Sequence, residues 1–183
     1  KEVVKSGAFA PGSRWSFPES LGLVFKAYGD HFADPNLYPV ESRGLLFSFI
    51  FFAPKQMGQG QFYLLALEDK DGQLLDGSNT YKMNVPANAP VRQYWSATLY
   101  DLKTHALIRE MAHAGRSSQS PGLQVNADGS VDLYFGPKAP EGKESNWTPT
   151  DPKGEFEILF RFYGPEPALF QKTWVLPDVE LVK

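Results

Sequence analysis

The chain of 183 residues predicts an all-β fold, an antiparallel β-sandwich of jelly-roll type with one N-terminal helix. Three observations carry that expectation. Sixteen glycines and fifteen prolines exceed average usage, which is roughly 12% for the two together. Aromatic residues make up 14% of the chain, and aromatic side chains favour strands. Beyond Glu41 the apolar residues alternate with polar ones in short runs bounded by turn residues, about eight to ten strands' worth, as in sandwiches and jelly rolls.

Residues 1–14 carry Gly7, Pro11 and Gly12 and read as an arm or linker. Residues 15–183 read as one β-sandwich domain, with a helix in residues 15–40. Pro18 stands where a first helical turn tolerates proline, and Leu21, Val24, Phe25 and Tyr28 recur at three- and four-residue spacing. Gly29 and Pro35 end that pattern. Leu45–Phe52 is apolar on both alternating faces, as in a strand covered on both sides. Gln61–Glu68 gives the next strand, Asp69-Lys70-Asp71-Gly72 a hairpin turn, and Tyr81–Val85 a further strand.

Along Arg92–Tyr100, Trp95, Ala97 and Leu99 take one face, and Tyr94, Ser96, Thr98 and Tyr100 the other. Asn126-Ala127-Asp128-Gly129 is a hairpin signal that joins Leu123–Val125 to Val131–Phe135. Gly136–Gly154, with four prolines, reads as a loop over one edge or mouth of the sandwich. Phe156, Ile158, Phe160 and Phe162 form the core face of a late strand whose other face carries Glu155, Glu157, Arg161 and Tyr163. Trp174 and Val175 close the series.

Eighteen Lys and Arg against 21 Asp and Glu leave a net charge of −3. No strongly basic surface is available for nucleic acid. Without cysteine there is no disulfide, thiolate nucleophile or Cys-based zinc site. No apolar run reaches the ~18 residues of a membrane span.

Most motif candidates have plainer readings. Gly136–Lys143 has five residues between its glycines where a phosphate loop has four, and Glu144 stands in place of the magnesium-binding hydroxyl. Asp69, Asp71 and Asp76 hint at calcium without an EF-hand's ligand ladder. His105 and His113 with Asp101 and Glu110 lack compact metal spacing, so neither a metal nor a cofactor is expected. Ser117, Ser118 and Ser120 follow His113 without a nucleophile elbow. Glu155 and Glu157 lie about 6.6 Å apart along one strand face, which suits glycosidase carboxylates but more simply describes a solvated face. Asn146-Trp147-Thr148 matches a glycosylation acceptor.

The distinctive feature is a polar-aromatic face. Tyr94, Ser96, Thr98 and Tyr100 on one strand would join Arg161 and Tyr163 on another if the two strands are neighbours. Such a surface can stack on sugars or planar ligands, or bury against a partner subunit.

Val85-Pro86-Ala87, Pro90–Asp101, Asn126–Pro137, Glu144–Thr150, Arg161–Pro165 and Lys172-Thr173-Trp174 together resemble the family called domain of unknown function 1214. The resemblance runs from Gly44 to Lys183. It implies a jelly-roll-like bacterial sandwich in an exported or envelope-associated (periplasmic or extracellular) protein, and an N-terminal companion, domain of unknown function 1254. It implies no settled reaction.

Three readings follow. The first is a ligand-binding or protein-interaction module using Tyr94, Ser96, Thr98, Tyr100, Arg161 and Tyr163, with a sugar, another small molecule, a companion domain or a second copy of the chain as partner. The second is a hydrolase or carbohydrate-active enzyme with Asp101, His105 and Arg161 as its catalytic candidates. The third is a structural half of a two-domain protein.

Overall fold

The structure, a computed structural model, describes residues 8–16 and 60–182. The helix expected in residues 15–40, apart from Trp15 and Ser16, and the strand expected at Leu45–Phe52 lie outside the described residues. Two four-stranded sheets face one another. The first contains β1 (Gln61–Ala66), β3 (Val91–Asp101), β4 (Gly115–Ser117) and β7 (Phe156–Pro165) in the order β1-β7-β3-β4. The second contains β2 (Tyr81–Val85), β5 (Val131–Gly136), β6 (Trp147–Pro149) and β8 (Glu180–Leu181) in the order β6-β5-β2-β8. All pairings are antiparallel except β5 with β6. The expected sandwich is therefore present. Helix is scarce among the described residues, with one turn of α1 (Pro167–Phe170) and a 3-10 turn at Glu144–Asn146.

The alternation in β3 and β7 is what builds the core. Trp95, Ala97, Leu99, Phe156, Ile158, Phe160 and Phe162 are all buried on the inner side of the first sheet. Tyr81, Met83, Val85, Val131, Leu133 and Phe135 meet them from the second. Phe160 lies at the centre, with ring centroids 5.5 Å from Trp95, 4.9 Å from Phe162 and 6.3 Å from Trp15. Truncating so buried a ring costs about 3–5 kcal/mol. Val91 pairs with Pro165 and Tyr94 with Tyr163, so Arg92 and Gln93 oppose only Gly164 in a bulge. From Tyr94 to Asp101 the β3–β7 register then runs unbroken.

Three expectations at the loops are corrected. Asn126–Gly129 does turn, with Gly129 N–H on Asn126 O and Ser130 N–H on the Asp128 carboxylate. However, Leu123–Val125 forms no strand. Gln124 N–H instead bonds to Asn146 Oδ1 at 2.7 Å, and β5 pairs with β2 and β6. The presumed loop Gly136–Gly154 contains β6, which three residues of parallel pairing hold beside Tyr134–Gly136. Trp174 is buried as a core anchor and not in a strand, with Nε1–H on Ala87 O, while Val175 is exposed.

Ala8–Ser16 folds onto this sandwich. Ser16 exchanges both backbone hydrogen bonds with Leu65 of β1, and Trp15, 1% exposed, donates Nε1–H to Pro177 O at 2.8 Å. Ser13 Oγ and Arg14 N–H both bond to Asp178 Oδ1.

Candidate functional site

Because β3 and β7 are neighbours, the polar residues of both strands share the outer face of the first sheet. Arg161 stands opposite Ser96 on one side and Tyr63 of β1 on the other. Its Nη1–H donates to Thr98 Oγ1 at 2.7 Å and its Nη2–H to the Tyr100 hydroxyl. The guanidinium also lies 5.6 Å from the ring centroids of both Tyr63 and Tyr100, within cation–π range. Beside it Tyr94 and Tyr163, paired in register, stack with centroids 4.0 Å apart and planes 15° apart. All six residues expected to form the polar-aromatic face are thus brought together, and Tyr63 joins them. Its position at the start of β1 gave no sign of this in the sequence, because only the β1–β7 register places it against Arg161.

Burial raises the Tyr63 phenol above its ordinary range, while the charge of Arg161 opposes the shift. The Tyr94 phenol is raised chiefly by its hydrogen bond with Tyr163. At neutral pH the Tyr63 and Tyr94 hydroxyls therefore stay neutral beside the Arg161 guanidinium.

The catalytic candidates separate. Asp101 falls in step with Trp95, Ala97 and Leu99 and pairs with Phe156, so strand alternation sets it on the side opposite Arg161. Its Oδ1 caps a turn, accepting Thr104 N–H and Oγ1–H, both at 2.7 Å, and these bonds hold its carboxyl below the usual range. That turn folds the chain back, with His105 N–H on Asp101 O and Asp101 N–H on Ala106 O. His105 adopts φ +54 there.

The fold partner of His105 is Glu157. His105 Nδ1 lies 3.0 and 3.1 Å from the two Glu157 oxygens. Glu157 is 6% exposed, and burial raises its carboxyl, while the His105 hydrogen bond and charge oppose that shift. The solvated reading of the Glu155–Glu157 face is therefore corrected for Glu157, whereas Glu155 is exposed. Four residues along β7 put Glu157 about 13 Å from Arg161 along the strand, so Asp101, His105 and Arg161 do not form one centre.

The remaining motifs resolve into structural roles. Asp69 Oδ1 accepts the Asp71 and Gln73 amides, and Asp76 Oδ1 accepts the Ser78 amide and hydroxyl. Ser117, Ser118 and Ser120 hydroxyls accept backbone N–H groups, and His113 Nε2 bonds to Trp147 O at 2.9 Å. Among the described residues no serine–histidine pair is assembled. Asn146 is 2% exposed and donates its amide to Gln124 O and Asp132 O, which leaves no access for a glycan. Among the described residues no group of three His, Asp or Glu is placed to hold a metal. No described helix is long and apolar enough to cross a membrane.

The chain is similar to the crystal structure of the VPA0106 protein from Vibrio parahaemolyticus, at 22% identity and TM-score 0.62 over 78% of the chain. It spans only 35% of that protein's length. A putative uncharacterized protein from Burkholderia cenocepacia aligns at 14% identity and TM-score 0.44, over 88% of this chain and 48% of that one. No curated protein matches. A family model described as "Protein of unknown function (DUF1214)" matches residues 60–167, from just before β1 to the start of α1. With more than half of its length matched, including every strand of the first sheet, this chain belongs to the DUF1214 family.

Proposed function

We propose that the domain is a binding module whose recognition surface is the outer face of the first sheet, centred on Arg161. The observation that carries this reading is the enclosure of one guanidinium by Thr98, Tyr100 and Tyr63 beside the stacked Tyr94–Tyr163 pair. Tyrosines give large contact area at low rotamer cost, and rings on a sheet are already ordered before a ligand arrives. A sugar or other planar polar ligand suits such a surface, since it can lie on the rings and bond to their hydroxyls.

Thermal unfolding against a panel of mono- and oligosaccharides and aromatic acids tests it. A ligand at 100 times its Kd raises stability by about 2.7 kcal/mol, or roughly 5–10 °C in a domain this size. The rise should disappear in Tyr94→Ala while the unliganded variant still unfolds cooperatively. A panel without any rise, combined with self-association or binding of an N-terminal companion domain through this face, would replace the small ligand by a protein partner. Neither ligand nor partner would sink the reading.

A catalytic reading draws on one different observation, the pairing of the half-exposed His105 side chain with the buried Glu157 carboxylate. A carboxylate on Nδ1 fixes the ring tautomer and supports Nε2 as a general base. This pair takes the place of the Asp101–His105–Arg161 set. Turnover of any ester or glycoside that falls in both His105→Ala and Glu157→Gln, but persists in Arg161→Ala, would favour it.

A further inference from the structure

Arg161 is held by partners that do not neutralise it. Arg14, Lys70 and Lys82 lie 3.7, 3.3 and 3.0 Å from the carboxylates of Glu68, Glu180 and Asp132. Arg161 has no such partner among the described residues. The carboxylate that shares its face of β7, Glu157, lies four residues away and is held by His105. The Tyr63 and Tyr94 phenols are raised above their ordinary range and bring no negative charge. A permanent cation thus stands on a face whose nearest groups are hydroxyls and rings.

Those hydroxyls hold Arg161 by accepting. Thr98 and Tyr100 take two of its five N–H groups, and the Tyr63 phenol also bonds to the guanidinium, which leaves N–H groups for a guest. The Thr98 and Tyr100 hydroxyls each keep a proton to donate. Ser96, directly opposite Arg161, has no bonded partner for its hydroxyl among the described residues. Beside it an open recess of about 210 Å³ is lined by Ser96, Thr98, Gly115 and Ser117, and Gly115, paired with Thr98, has no side chain to fill it. Arg116 is not the cation of this face, since it pairs with the core-facing Ala97 and donates to Glu144 O.

We propose that the tyrosine face recognises a ring that carries a carboxylate, with the acid group on Arg161. This rests on the reading of that face as the recognition surface and names its ligand class. A carboxylate only accepts hydrogen bonds and brings the missing charge, so the remaining guanidinium N–H groups and the Ser96 hydroxyl both suit it. Tyr94 with Tyr163 is the next outward pair after Ser96 with Arg161, about 6.6 Å along the strands. A ring laid against the tyrosines therefore has its acid substituent within reach of the cation. An amide in the same place would leave the charge unmet.

The test is thermal unfolding of the chain in glucuronate against glucuronamide and in benzoate against benzamide, with sodium chloride added to match ionic strength. An acid-specific rise is expected, roughly 5–10 °C at 100 times Kd, with the acid bound at least about tenfold more tightly than its amide, as a charged hydrogen bond requires. A rise with glucuronate alone would identify an acidic sugar and with benzoate alone an aromatic acid. Arg161→Met should abolish the preference for acid over amide, and Arg161→Lys, which keeps the charge without the fork, should only reduce it. Equal rises for acid and amide overturn this proposal and leave the binding surface standing. No rise with any of the four overturns it as well, and saccharides that still raise stability through Tyr94 would then keep the broader reading. Should the Arg161 variants fail to fold, amide NMR of the wild-type chain with the acid decides. Shifts centred on Ser96–Thr98 and Leu159–Tyr163 support the site, and shifts centred elsewhere overturn it.

Discussion

Two arginines in one sheet meet opposite fates. Arg161, on central β7, is enclosed by hydroxyls and rings on strands to both sides. Arg116, on edge strand β4, is partly buried with a single carbonyl for company. A central strand has neighbours that can each supply a partner at fixed register, whereas an edge strand has only one. The lesson is that the same residue type serves as internal cement in one place and stands as an uncompensated, partly buried cation in the other. Strand position, more than composition, decides which.

The sharpest way to break this contrast is Arg161→Ala. It leaves Thr98 and Tyr100 without their shared donor and removes two ring contacts, so about 2–4 kcal/mol of stability should be lost in urea unfolding. A loss within error would mean that the face is not held together by its cation. The Tyr94–Tyr163 pair is expected to contribute next. A double-mutant cycle to alanine should return a coupling of about 0.5–1.5 kcal/mol, and zero coupling would show that the stack is incidental. Arg116→Met should then change stability by less than about 1 kcal/mol, with stabilisation the favoured sign, because an uncompensated buried cation is replaced by an apolar chain. A large loss there would place Arg116 with Arg161 as structural.

The smallest effect expected is a pH dependence at the far end of the same face. The Glu157 carboxyl is raised by burial, so the folded chain holds that proton more tightly than the unfolded chain does. Its contribution is therefore most favourable at low pH and declines as pH rises from the ordinary glutamate range through the raised folded value. Asp101 has the opposite sign. Hydrogen bonds from Thr104 lower its folded value, so its stabilisation is present above the ordinary aspartate range and fades as pH falls through the lowered one. Glu157→Gln should remove the first slope and leave the second, which stability measured from about pH 2 to 7 can resolve.

What the sequence disclosed followed the range of the interactions involved. The period-two alternation of β3 and β7 was legible because each strand declares its two faces locally, Trp95, Ala97 and Leu99 against Tyr94, Ser96, Thr98 and Tyr100. The Asn126–Gly129 turn was legible because its side-chain and backbone bonds close within five residues. Its partner strand was misassigned because pairing is a tertiary choice, and Gln124 donates its N–H to the Asn146 side chain and accepts from it at its own carbonyl instead. A three-residue parallel strand ending in Pro149 carries almost no local signature. Glu157 looked like any other strand-face glutamate, since nothing near it in sequence announces that a left-handed turn at His105 will return to meet it. Arg116 was silent for the complementary reason, because an absent partner leaves no motif.

The strap at Ala8–Ser16 carries a consequence for kinetics. Trp15 with Pro177, and Arg14 with Asp178, join positions more than 160 residues apart, so the two ends of the described chain meet at one corner of the sandwich. Closing so long a loop is only logarithmically more costly than closing a short one, yet both partners must already be positioned for the contact to hold. The strap should thus form after the sheets and open before them. Hydrogen exchange at the Trp15 indole and the Leu65 amide would then outpace that of the β3–β7 ladder, and a protease would find its first foothold at this seam.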